Sequence, residues 1–202
     1  MIDVTLGDVV RQYRVTLQQT LDQLSLEGVQ AIAREILTTY DRDGRVYVFG
    51  NGGSAATASH MACDLAKNTS AASHMDLPRL RVHALTDNTA LISALANDIG
   101  YEAIFAEQLL LAPVTDNDLA IAISGSGNSP NVLNGIATAT AAGARTVGIT
   151  GFSGGRLAPV VDVALVVPSD SMEIIEDIHL IVNHAVTSAL RTALRARVAV
   201  VA

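Results

Sequence analysis

Five short apolar runs, at residues 45–49, 81–85, 118–123, 146–150 and 161–167, constrain this 202-residue chain more than any other feature. Each has the length of a β-strand and falls well short of the roughly 20 residues a membrane helix needs. Segments with helical spacing separate most of them. A helix is expected after the first run to Lys67, two more near 88–96 and 101–110, another at 130–142, and a long final one at 172–195. Strands that are apolar throughout are buried on both faces, and strand–helix alternation gives a mostly parallel sheet between helical layers. The expected fold is therefore α/β, a three-layer sandwich of flavodoxin-like or Rossmann-like type around five strands.

Before the first strand, Val9, Val10, Tyr13, Leu17, Leu21 and Leu24 recur at helical spacing. A break is expected over 25–28, with Gly28 as its punctuating residue. A second amphipathic stretch runs from 29 to 40, and the turn at 41–44 closes it. The reading is one domain over 1–202, with a helical arm (1–43) and an α/β core (44–202). The polar segment 68–80 is read as a mobile loop that could lie over the site.

Composition narrows the function classes. Aromatics are 3% of the residues and Trp is absent, so Ala, Val, Ile and Leu must build the core. The net charge of -7 argues against a nucleic-acid groove built on bulk positive charge. It leaves open phosphate binding by backbone N–H groups at helix starts. The single cysteine, Cys63, permits no intrachain disulfide and fits a reducing compartment. The segment MIDVTLGDVV lacks the basic start and apolar run of a secretory signal. A cytoplasmic protein with no membrane partner is expected.

Two loops carry the chemistry. Asn51, Gly52, Gly53 and Ser54 follow the first strand and open a helix; Ser124, Gly125, Ser126 and Ser129 do the same after the third. In an open parallel sheet such loops lie beyond the carboxyl ends of the strands, where ligands bind. Glycines let the backbone close on an anion, helix starts present free N–H groups, and serines add donors. The plain alternative is that these are ordinary turn and cap residues. A dinucleotide site is a second alternative, but the acid such a site needs at the end of the next strand is met only by Asp87, a poor fit.

His60 and Asp64 stand four residues apart on one face of the helix after the first loop. Glu176, His179 and His184 lie on the final helix. A carboxylate and an imidazole suit the base and acid of an aldose–ketose isomerisation, and two His with two carboxylates could also hold a metal. His179 and His83 are read as structural, His74 as solvated, and Cys63 as a small buried side chain. Asn97 and Asp98 form a helix-end turn, and Glu173 suits a helix start.

VFGNGGSAATASH, LANDIGYEAIF, AISGSGNSPNVLNGIATATAAGARTVGITG and IIEDIHLIVNH together resemble the sugar-isomerase (SIS) family over nearly the whole chain. Within it they resemble the sedoheptulose 7-phosphate isomerase branch. The resemblance implies conversion of sedoheptulose 7-phosphate to D-glycero-D-manno-heptose 7-phosphate through an enediolate. Asp64 and His184 would be catalytic, and His60, Asp64, Glu176 and His184 would hold zinc. Substrate contacts would come from the two loops and from Asn97, Asp98, Glu173 and Glu176. It also implies a homotetramer with shared sites. Three residues depart from the family pattern: Asp64 stands for Glu, Glu176 for Gln, and Asn68 for an Arg that reaches phosphate, with Lys67 adjacent. An isomerase of another phosphosugar and a non-catalytic SIS scaffold are the competing functions.

Overall fold

The computed structural model of the protein describes residues 5–69 and 78–201, the side chains of 198–201 excepted. The expected loop over the site, and His74 within it, thus fall largely outside the described residues. The chain runs through α1 (Leu6–Gln23), α2 (Leu26–Asp41), β1 (Arg45–Gly50), α3 (Gly53–Asn68), β2 (Arg81–Ala84), α4 (Thr89–Asp98), α5 (Ile104–Leu111), β3 (Leu119–Ser124), α6 (Pro130–Ala141), β4 (Arg145–Thr150), β5 (Val163–Val166) and α7 (Met172–Val201). One-turn 3-10 helices sit at Tyr101–Ala103 and Ala158–Val160.

The strands form one sheet in the order β2-β1-β3-β4-β5, and every pairing is parallel. Side chains alternate across it, as the strand period of two requires. Val46 and Val48 join Ile32 and Ile36 of α2, Met61 and Leu65 of α3, and Ile178 and Val182 of α7 on one face. Tyr47 and Phe49 join Ile104 and Phe105 of α5 and Ile136 of α6 on the other. The expected three-layer α/β sandwich is the fold observed, with the arm helix α2 built into one layer.

Three local expectations are corrected. Gly28 does not break the arm. Ser25 caps α2, its hydroxyl accepting from the Gly28 N–H, so Gly28 lies inside the first turn. Ile32 and Ile36 of the second amphipathic stretch, now α2, are fully buried against the sheet. Leu6, Val9 and Val10 of α1 are the apolar residues of the arm's first helix left most exposed. Cys63 is exposed, because the face of α3 that packs inward carries Met61, Asp64 and Leu65 instead. The last strand begins at Val163 because Asp162 turns its carboxylate onto the N–H and hydroxyl of Thr146.

Candidate active site

The strand order reverses between β1 and β3. β1 leads into α3 on one face of the sheet and β3 leads into α6 on the other, so their loops part and leave a crevice beyond the strand ends. Both predicted loops lie there, with Gly50 of β1 paired to Ile123 of β3. α1, α2 and α4 are capped by the side chains of Thr5, Ser25 and Asn88. At α3 and α6 the N-cap positions are Gly52 and Ser129, and neither supplies a side-chain cap. No side chain caps the first N–H groups of α3; at α6 Pro130 carries no N–H and the Val132 N–H bonds Asn131 Oδ1, which leaves the Asn131 N–H as the donor an anion could use.

The second loop is shaped by Gly127, whose φ of 63° favours glycine. A Cβ there would lie 2.2 Å from the Gly154 carbonyl oxygen, so the loop seats directly on the turn after β4. The Ser126 hydroxyl accepts from the Asn128 N–H at 3.2 Å, which leaves its own proton to donate. Ser124 is buried.

The first loop is braced by an amide pair that the sequence reading missed. Asn51 and Asn131 bond reciprocally at 2.8 Å, and the Tyr101 hydroxyl donates to Asn51 Oδ1 at 3.0 Å. The Asn51 amide is therefore committed to the scaffold as well as facing the crevice. A Cβ on Gly53 would lie 2.5 Å from both carboxylate oxygens of Glu176, which places that carboxylate at the start of α3. Asp87, the acid a dinucleotide would need, instead accepts the Ser59 hydroxyl.

α3 and α7 bring the predicted catalytic residues together. Asp64 Oδ2 lies 3.3 Å from His60 Nε2 and 3.6 Å from His184 Nε2, and the two Nε2 atoms are 3.4 Å apart. The Asp64 side chain is 12% exposed and the two histidines are about half exposed, at 45% and 54%. Four ligands at about 2.0–2.2 Å around a tetrahedral zinc are separated by about 3.3–3.6 Å. The three measured edges fit that spacing, so the residues present fit a metal of this kind. Glu176, the fourth ligand implied by resemblance, is not in this group. It stands eight residues before His184, about 12 Å along the helix.

Two further side chains touch Asp64. Asn68 donates to Oδ1 at 2.9 Å and Asn183 to Oδ2 at 3.2 Å. Asn68 drew notice in the sequence for a different role; Asn183 did not, although a polar residue on the buried stripe of a helix is a readable signal. Asn97 and Asp98 end α4, exposed and bonded to each other at 2.7 Å. Glu173 accepts the Ser171 hydroxyl at 2.7 Å, which holds its carboxyl below the usual range. His179 is buried and within 3.2 Å of the Thr150 carbonyl oxygen, while His83 stacks on Tyr47, so both serve the scaffold.

The sheet order, the paired loops and the acid–imidazole cluster define a phosphosugar-binding SIS protein, and the SIS domain profile matches residues 10–151. The chain belongs to that family, within its phosphoheptose isomerase group. It is 34% identical over 184 residues to the phosphoheptose isomerase of Helicobacter pylori strain Shi470, covering 91% of this chain and 93% of that one. It is 40% identical over 158 residues to that of Roseiflexus sp. strain RS-1, covering 78% of each. Among solved structures, the phosphoheptose isomerase of Neisseria gonorrhoeae superposes with a TM-score of 0.84 at 28% identity, covering 93% of this chain and all of that one.

Proposed function

We propose that this chain is an aldose–ketose isomerase that converts sedoheptulose 7-phosphate to D-glycero-D-manno-heptose 7-phosphate through an enediolate. The observation that carries this reading is the Asp64 carboxylate facing two imidazoles at 3.3 and 3.6 Å beside the crevice. The substrate phosphate binds at the uncapped start of α6, with Ser124, Gly125, Ser126 and Ser129 around it. Asn51 to Ser54, Asn97, Asp98, Glu173 and Glu176 meet the sugar hydroxyls.

Asp64 takes a proton from C1 of the open-chain ketose while His184 protonates the oxygen on C2. Asp64 then returns its proton to C2, and His184 removes the hydroxyl proton on C1 as the carbonyl forms there. His60, Asp64 and His184 would hold a zinc ion, which would add Lewis-acid stabilisation of charge on the substrate oxygens, and Asp64 and His184 would have to be held loosely enough by it to carry their protons. Glu176 keeps a substrate-side role, at the start of α3.

The exposed Leu6, Val9 and Val10 of α1 support assembly into a homotetramer with shared sites. No helix among the described residues is long and apolar enough to cross a membrane, and with the single cysteine this supports a cytoplasmic protein. The test is product analysis on a panel of ketose and aldose phosphates, with and without added zinc. Sedoheptulose 7-phosphate should turn over fastest and be stimulated by zinc. Faster conversion of a pentose or amino-sugar phosphate would reassign the substrate, and conversion of none would leave a scaffold.

A further inference from the structure

Amides hold Asp64 from two sides. Asn68, one turn further along α3, donates to Oδ1 at 2.9 Å, and Asn183 of α7 donates to Oδ2 at 3.2 Å. The terminal torsion of an aspartate is broad, so rotamer preference does not fix the plane of its carboxylate. A donor on each oxygen does.

Asn183 is the telling half of this clamp. It is fully buried on a helix whose inward residues include Ile178, Val182 and Val186. Among the described residues its Oδ1 has no hydrogen-bond partner. A bare buried acceptor is costly, and an apolar side chain of like size would fill the space without that cost. Asparagine stands there with one polar group used, and that group faces Asp64. It also directly precedes His184. One turn of α7 thus supplies the amide that orients Oδ2 and the imidazole that Oδ2 faces.

We propose that Asn183 is a positioning residue that aims the Asp64 carboxylate at His60 and His184, with Asn68 as its partner on the other oxygen. The functional consequence rests on the isomerase reading; the positioning itself does not.

The test is Asn183→Leu in the full-length protein, read four ways: crystal structure, thermal unfolding, zinc affinity by chelator competition, and steady-state kinetics. The Asp64 carboxylate should rotate away from the imidazoles while the melting temperature holds or rises, because the bare acceptor is removed with the donor. Zinc affinity should fall by about tenfold or more. The kcat should fall by about ten- to a hundredfold with KM within about twofold, as for a misplaced catalytic group. A carboxylate that stays in place, with zinc affinity and kcat unchanged, would overturn the proposal; a lower melting temperature alone would mark Asn183 as merely structural. Should Asn183→Leu not fold, Asn183→Ala removes the amide without adding volume, and an unmoved Asp64 there would overturn it equally. A parent enzyme inactive on every phosphosugar would refute the isomerase reading, while the carboxylate position would still decide this one.

Discussion

The side-chain amides of Asn51 and Asn131 hydrogen-bond in both directions, at 2.8 Å each way. One residue lies in the loop after β1 and the other in the first turn of α6, so the pair fastens the two walls of the crevice across the point where the strand order reverses. Asn131 is 1% exposed, and its Oδ1 also accepts the Val132 N–H. Asn131→Ala should lower stability by about 1–3 kcal/mol, since it removes both bonds to the Asn51 amide, whose Oδ1 keeps only the Tyr101 hydroxyl. It should also raise KM more than it lowers kcat, because the loops lose their spacing. Urea unfolding and steady-state kinetics check both parts.

Phosphate binding at the second loop predicts a different signature. Phosphate contacts persist from ground state to transition state, so their loss weakens binding without slowing the chemistry. The double variant Ser126→Ala with Ser129→Ala should raise KM by roughly tenfold or more, on the basis that one lost charge-assisted bond is worth about 1.5–3 kcal/mol, and leave kcat near the parent value. Substrate binding as tight as the parent's would move the phosphate elsewhere.

Much of this was legible in the chain. The central strands β1, β3 and β4 stood out because they are buried on both faces, while the edge strand β2 leaves Arg81 and His83 exposed; the loops stood out because Gly and Ser cluster where apolar runs stop. His60 and Asp64 share a helix face by spacing alone. Their meeting with His184 was not readable from spacing, since it depends on how α3 and α7 lie over the sheet. The Asn51–Asn131 pair was missed because reciprocal amides 80 residues apart leave no local pattern. Gly28 misled because a glycine reads as a break, whereas here Ser25 supplies the cap and glycine merely fills the first turn. Cys63 misled because small apolar residues are usually buried, and helix phase decided otherwise.

The contact between Gly53 and Glu176 makes a prediction of its own. A methyl on Gly53 would meet both Glu176 carboxylate oxygens at 2.5 Å. Gly53→Ala should push the Glu176 carboxylate aside, and because that is the mobile end of a half-buried side chain the cost should stay below about 1 kcal/mol. In a Glu176→Ala background the same change should be neutral or stabilising by up to about 1 kcal/mol, since alanine is the better helix residue. A double-mutant cycle by denaturant unfolding measures the difference. Additive effects would contradict the contact.

His179 sets an acid limit. Burial pushes its pKa below 6.5, opposed more weakly by its bond to the Thr150 carbonyl. Its Nδ1 has no partner among the described residues, so a second proton there would meet no acceptor among them. The folded-state value lies below the unfolded one, so as pH falls through about 6.5 the unfolded chain takes up the proton first and is favoured. Stability should therefore fall as pH drops from 7 to 5, and His179→Gln should flatten that slope. Melting curves across this range check it; an unchanged slope in the variant would contradict the assignment.

The account's central claim is that Asp64 moves the proton between C1 and C2. Asp64→Asn keeps the size of the side chain and removes its basicity. The direct measurement is kcat for sedoheptulose 7-phosphate in Asp64→Asn beside the parent, with both proteins folded and binding phosphate equally. General-base catalysis predicts a loss of about 10²–10⁴-fold in kcat. A variant that retained the parent rate would remove Asp64 from the mechanism.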